Sequence, residues 1–450
     1  MTPRIRLLLG GALLLGAAVA PAQAPTGGAE RSPIAFWTSV RDTTLERLMN
    51  DALAASRDVR AAAARVRGAR AARTAATFDF APTVTASAGY TRQRLASPSF
   101  PGSRGSLPEQ ELWDAGLRMS WEVDVFGRVR RAVRARTALA DAAGEDLRDV
   151  RVLLTAEVAD AYFDLRGAQD RLAVARRNAE NQRGTLDLTV QRLEGGRGTE
   201  LDTERARAQL ATTLAEVPTL EAAVDAARYR LGVLTARDAS TLAIGDATAS
   251  VTLPANVGVE RTDSLVRAVV NRRPDVRSAE QQVAARSAFV GAARAEYLPR
   301  LSIGGASGYT SSGLGTLGNT GTPRFAIGPV ISWPALDLGR VRAGVDAARA
   351  DEEEAKAEYE GAVLRATGEV ETALTAYRKA RERLAQLDAA ATASAKAAEL
   401  ARLRFTEGAS DFLQVLDAER TLLEAQNRRA VGLADASTKL VTVYRALGGS

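Results

Sequence analysis

Two periodicities divide this chain. From Trp113 to Val123 the odd positions are Trp113, Ala115, Leu117, Met119, Trp121 and Val123, and the even ones are Asp114, Gly116, Arg118, Ser120 and Glu122. Strict alternation puts each set on its own face of a β-strand. Val84, Ala86, Ala88 and Tyr90 alternate likewise between Thr83 and Thr91. Leu301, Ile303 and Tyr309, then Phe325, Ile327, Ile331 and Trp333, repeat the pattern later in the chain. The stretches Ala96 to Glu111 and Ser311 to Gly321 are rich in Gly, Ser and Pro. They read as exposed loops, which predicts two β-hairpins, 83–125 and 300–333.

The second periodicity is the heptad. Leu154, Val158, Ala161, Leu165, Ala168, Leu172 and Ala175 step by 4, 3, 4, 3, 4, 3, and Ala366, Val370, Ala373, Tyr377, Ala380, Leu384 and Leu387 do the same. A sustained 3.5-residue repeat predicts helix-on-helix packing along one seam, and Ala within it allows close approach. No Pro interrupts Gly127 to Gly196 or Gly339 to Gly408. Each run is long enough for about 100 Å of helix at about 1.5 Å per residue, which suits a rod or a hollow assembly better than a single globular core. The long helices are expected at 127–196, 199–234, 339–407 and 410–447.

These features are duplicated. Asp58-Val59-Arg60 recurs as Asp275-Val276-Arg277, and Pro82 as Pro299, at an offset of 217. Beyond the first hairpin the offset becomes 212: Ser120-Trp121 meets Ser332-Trp333, and Gly127-Arg128-Val129-Arg130 meets Gly339-Arg340-Val341-Arg342. Glu157-Val158 meets Glu369-Val370, Arg192 meets Arg404, and Gly196 meets Gly408 at that same offset. Matches held in one register mark a tandem repeat. The first repeat spans 57–236 and the second 263–450, with segment 23–56 before them and linker 237–262 between.

Composition then removes whole classes of function. The chain has 450 residues with no Cys and no His, which excludes disulfides, thiol nucleophiles and imidazole bases. Neither a cofactor, a metal site nor a catalytic set is expected, and Glu352-Glu353-Glu354 beside Lys356 reads as a solvated helix face. The net charge is +6, falling to +4 once Arg4 and Arg6 leave with a signal peptide at 1–22. With 54 acids interleaved among 60 basic residues, this does not make a nucleic-acid surface. Leu7 to Ala20 is apolar over 14 residues, too short to span a bilayer stably, and the small residues Ala20 and Ala22 favour cleavage after Ala22.

An exported chain with strands of about ten residues and aromatics near their ends suits a membrane β-barrel with a wet lumen. Four strands cannot close one, and unpaired backbone groups in lipid cost several kcal/mol each. The barrel would therefore be shared between chains. Alternation and spacing do not say how many.

The order of these motifs resembles the TolC-type outer-membrane channels, in particular the OprM-like branch that serves RND efflux pumps. The resemblance rests on Phe36-Trp37, Asn271-Arg272-Arg273-Pro274-Asp275-Val276, Tyr297-Leu298-Pro299, Trp121 to Arg128, Trp333-Pro334 with Gly339-Arg340, Arg404-Phe405 with Gly408, and Leu413 to Arg420. It implies a mixed α/β membrane protein. Three copies would share a twelve-stranded outer-membrane β-barrel and a coiled-coil α-barrel in the periplasm, with 23–56 and 237–262 forming a belt around it. It implies no enzyme. The function implied is a passive duct for small molecules, with a homotrimer, outer-membrane lipid, a periplasmic adaptor and an inner-membrane RND-type pump as partners. Many OprM-like members carry a lipidated Cys, and its absence here removes that anchor.

Sites follow from the same resemblance. Arg192, Gly196, Gly198, Arg404 and Gly408 would form the periplasmic tip on which the adaptor docks, the glycines also supplying the positive φ that ends a helix. Leu413, Asp417 and Arg420 lie at i, i+4 and i+7 on one helix stripe. They would gate the narrow end, with Leu413 an apolar collar, Asp417 an acidic ring and Arg420 a partner for a neighbouring acid. A type I protein-secretion outlet and a soluble periplasmic coiled-coil scaffold are the competing readings.

Overall fold

The computed structural model describes residues 33–94, 108–242, 244–245, 253–254 and 270–449. The signal peptide with its cleavage point, the chain up to residue 32, and most of the linker lie outside the described residues. From Pro33 onward the chain is one compact unit.

Helix α1 (Thr43–Ala55) starts where the Asp42 side chain accepts from the Thr44 and Leu45 amides, and α2 (Arg57–Phe78) starts at Ser56, whose hydroxyl accepts from Val59. Strands β1 (Thr83–Gln93) and β2 (Gln110–Val123) make the first hairpin. Asp124 then accepts from the Val129 and Arg130 amides, opening α3 (Arg128–Glu194), which runs unbroken for 67 residues. Helix α4 (Glu200–Thr235) returns, with Pro218 inside it. The second repeat follows the same plan: α5 (Pro274–Ala295), β3 (Arg300–Ser311), β4 (Pro323–Ser332), α6 (Leu338–Thr406, 69 residues) and α7 (Phe412–Ala446). No helix among the described residues is long and apolar enough to cross a membrane.

The two hairpins join into one antiparallel sheet ordered β1-β2-β3-β4. Its register keeps the predicted faces apart. Val84 pairs with Met119, Met119 with Gly305, and Gly305 with Ile327. On the other face Thr85 pairs with Arg118, Arg118 with Ala306, and Ala306 with Ala326. The apolar face is bare within one chain: Leu117 is 54 % exposed, Phe325 85 % and Ile327 71 %. The repeat survives at the level of single hydrogen bonds. The indole Nε1–H of Trp121 donates to the Phe80 carbonyl at 2.9 Å, and that of Trp333 donates to the Tyr297 carbonyl at 3.0 Å. Each indole thus ties a hairpin back to the end of the helix that leads into it.

The core lies halfway along the long helices. Leu154, Val158, Ala161 and Leu165 of α3 and Ala366, Val370, Ala373 and Tyr377 of α6, the predicted heptad positions, are buried in one apolar cluster, with α7 packed against both helices. Trp37, Leu45, Leu48 and Met49 complete this core from the N-terminal segment, and Leu440 and Tyr444 from α7. Tyr444 is fully buried, donates to the Pro33 carbonyl at 2.8 Å and shares a 2.6 Å hydrogen bond with Thr155. Burial pushes its hydroxyl up to about 12. The described linker residues also reach this level, where Tyr377 donates to the Pro254 carbonyl and Arg166 to the Gly245 carbonyl.

Asp160, on α3 beside this core, is placed against its own charge. Burial pushes its carboxyl up to about 6, with Asp164 adding like charge and Arg230 and Arg445 opposing the shift. The folded state thus binds the Asp160 proton more tightly than the unfolded chain does. The stability this group contributes is present below about pH 4 and is lost as pH rises to about 6. Asp160→Asn should raise the unfolding midpoint at pH 7.5 by the equivalent of about 1–2 kcal/mol, a figure discounted for partial exposure. The gain should vanish at pH 4. Thermal unfolding at both pH values checks this, and an equal gain at both would refute it.

Candidate functional site: the helical tip and the two faces of the sheet

The two helical hairpins end in the same turn. Arg197 donates its amide to the Arg192 carbonyl at 2.8 Å, and Ala409 donates to the Arg404 carbonyl at 2.8 Å. Gly196 and Gly408 hold φ of 68° and 76° in the two turns, a conformation that favours glycine. The reading of Gly198 as a third positive-φ residue is corrected: it lies outside that region. Its role is close approach, since a Cβ there would sit 2.9 Å from the Leu193 amide nitrogen.

The two tip arginines, equivalent by repeat, do different things. Arg192 turns inward. Its guanidinium lies 4.3 Å from the Phe405 ring centroid and donates to the Phe405 carbonyl at 2.6 Å. It fastens α3 to α6 rather than facing outward. Arg404 is exposed, and its guanidinium makes no hydrogen bond or ion pair among the described residues. Phe405 and Phe412 pack at 5.7 Å between centroids, and with Ala206 and Val415 they form a small separate core that gathers α4, α6 and α7 at this end.

On α7 the stripe of Leu413, Asp417 and Arg420 is exposed, opposite the buried Phe412, Val415, Glu419 and Leu422. Leu413 is 54 % exposed. Neither the Asp417 carboxylate nor the Arg420 guanidinium has an ion-pair partner among the described residues. The structure therefore places the three on one exposed helix surface.

Sequence reasoning missed what holds this stripe in place. Glu419 is 3 % exposed, accepts from the Thr185 hydroxyl at 2.7 Å and pairs with Arg402 at 2.8 Å. Higher up, Asn178 donates to Gln426 at 2.8 Å, and Arg171 to Asn427 at 3.0 Å. The seam between α3 and α7 is thus polar toward the tip, whereas the same face of α3 is apolar at the core. A signal was present: Phe412, Val415, Glu419 and Leu422 step by 3, 4, 3, so an acid occupies a heptad core position.

At the other end of the long helices the sheet has one apolar and one polar face. Among the described residues, Asp114 on the polar face accepts from the Thr310 hydroxyl at 2.6 Å and pairs with Arg324 at 3.2 Å. Glu122 pairs with Arg128 at 2.6 Å, where strand passes into helix. A strand face that sheds water and another that welcomes it, on a sheet mounted on long helices, is the arrangement of a membrane β-barrel subunit with a helical extension.

Comparison with known proteins places the chain further. The family model described as "Outer membrane efflux protein" matches residues 48–237 and 265–449. Outer membrane protein OprJ of Pseudomonas aeruginosa is 31% identical over 421 residues, covering 92% of this chain and 86% of that protein. The toluene efflux pump outer membrane protein TtgF of Pseudomonas putida is 32% identical over 418 residues, covering 91% and 84%. The solved outer-membrane channel OprN superposes with a TM-score of 0.83 at 39% identity, covering 92% of each chain. The chain belongs to the outer membrane efflux protein family. It is the outer-membrane channel component of a tripartite efflux system.

Proposed function

We propose that three copies of this chain close into one passive export duct: a twelve-stranded barrel in the outer membrane continued by an α-barrel in the periplasm. The observation that carries this reading is a sheet with a bare apolar face and two open edges. Strands β1 and β4 have no second neighbour within the described chain, and unpaired edge groups cannot be left in lipid. Light scattering of the detergent-purified protein should give the mass of a trimer. A stable monomer would refute the shared barrel.

The duct is not an enzyme. An inner-membrane RND-type pump supplies energy through a periplasmic adaptor, and the adaptor docks on the turns at Gly196 and Gly408 with Arg404 exposed beside them. Gly198 and Arg192 support this surface from behind, by backbone approach and by the contact with Phe405. The stripe of Leu413, Asp417 and Arg420 lines the narrow end and closes it. The named cargo of TtgF, toluene, supports small molecules as the cargo class.

A single substitution tests the docking role. Gly408→Val places a β-branched side chain at a φ of 76°, a strain of about 1–2 kcal/mol or more although nothing crowds the added Cβ. The turn must change shape while the sheet, at the far end of the helices, does not. Pump-dependent efflux should fall at least tenfold with normal protein level in the outer membrane, measured by dye accumulation and immunoblotting. Efflux at the wild-type rate would place the adaptor elsewhere.

A further inference from the structure

Among the described residues, the polar face of the sheet carries one charge without a partner. Asp114 has Arg324, Glu122 has Arg128, and Arg300 has Glu296 at 2.9 Å. Arg118 is exposed in the middle of β2 and has no hydrogen-bond or ion-pair partner among the described residues. Its surroundings are small. Thr85 and Ala306 flank it across the strands, and Gly116 and Ser120 precede and follow it on the same face. Nothing beside it is long enough to shield the guanidinium.

Closing the barrel with further copies does not supply a partner. The new neighbours would be the edge strands, and neither β1 nor β4 contains an Asp or Glu. The loop sequences 95–107 and 312–322 contain none either. An unpaired guanidinium ringed by small side chains remains hydrated and aimed into the lumen. It acts on passing charge over a screening length of about 8–10 Å at physiological salt.

We propose that Arg118 sets charge selectivity at the exit of the duct: its three copies form a cationic collar that favours anionic solutes, bearing carboxylate, sulfonate or phosphate groups, over cationic ones. This rests on the trimeric barrel reading. The collar raises the local concentration of anions in the lumen, as single-signed rings do in other pores.

The absence of Cys makes a clean test possible. Ser120→Cys puts a lone thiol about 7 Å from residue 118 on the same strand face. Its labelling rate is measured on purified trimers with two thiosulfonate reagents of similar size, one bearing a sulfonate and one a trimethylammonium group. The sulfonate reagent should gain relative to the cationic one. Adding Arg118→Ala should lower the anionic-to-cationic rate ratio by about threefold or more, and Arg118→Lys should keep it. Raising salt from about 0.05 to about 0.5 M should lower the ratio with Arg118 intact, a readout that needs no change at residue 118. Trimers whose ratio is the same with Arg, Lys or Ala at 118, and insensitive to salt, would overturn the collar. Monomers in light scattering would overturn the barrel reading instead, and the collar with it.

Discussion

A channel carrying both Leu413→Ala and Asp417→Ala should be open at rest. In a planar bilayer its conductance should exceed the wild-type value severalfold at matched trimer content, and cells carrying it should become sensitive to bulky antibiotics. Leu413 is 54 % exposed on the side of α7 away from its core. Three such side chains around a narrow end form an apolar collar, which resists wetting. The Asp417 and Arg420 side chains have no ion-pair partners among the described residues, so on the proposed gate reading a closed end is held by pairing between copies. Three like carboxylates repel unless a cation or guanidinium lies between them. Contacts this few are worth only a few kcal/mol, a sum that differential binding of an adaptor can reverse. Removing both the collar and the pairing acid shifts the balance without an adaptor. The helix itself should be unaffected, since the substituted side chains face away from Phe412, Val415 and Glu419. Wild-type conductance in the double variant would make this stripe an ordinary helix surface and move the constriction elsewhere.

Leu117→Arg should abolish assembly in the outer membrane. Leu117 sits mid-strand on the apolar face, between Ala86 and Ser307 in the register. An Arg on a lipid face costs about 2–4 kcal/mol at mid-bilayer. A three-chain barrel meets that cost three times, against a total folding stability of about 5–15 kcal/mol for an ordinary domain. The substituted protein should be missing from the outer-membrane fraction as a trimer. Met119→Arg, two residues on and on the same face, should behave the same way. Ser120→Arg places the same charge on the polar face and should assemble normally. Equal loss from Leu117→Arg and Ser120→Arg would show that the two faces are not lipid and lumen.

The parts legible in the sequence are those governed by local geometry. Alternation from Trp113 to Val123 assigned both strand faces because side chains on a strand must alternate. Position 117 therefore lies with 113 and 121 wherever the strand goes. The heptads at Leu154 and Ala366 gave the buried seam of each long helix for the same reason. The glycines at 196 and 408 marked the helix ends because a reversal of that kind needs positive φ at one residue. The tandem offset gave the plan of the second half from the first, including the matching Trp121 and Trp333.

Other features depended on where distant segments arrive. Pairing of β2 with β3, which joins the two repeats into one sheet and brings Arg324 to Asp114, links residues about 200 positions apart, and no local pattern encodes it. The inward turn of Arg192 needed Phe405 beneath it, whereas its repeat equivalent Arg404 faces outward. Gly198 looked like another helix-ending glycine, but it is required by the nearness of the Leu193 backbone. Glu419 stands at a heptad core position, but Thr185 and Arg402, which pair with it there, come from other helices. Arg118 read as one polar position among several. Only the pairing of its neighbours, Asp114 with Arg324 and Glu122 with Arg128, left it alone. Period and turn chemistry are properties of a few consecutive residues, so the sequence determined the elements, their faces and their ends. Burial and charge pairing are properties of whichever residues the folded chain brings within a few ångströms, so the tertiary structure alone decided which charges are spent on the fold and which remain free.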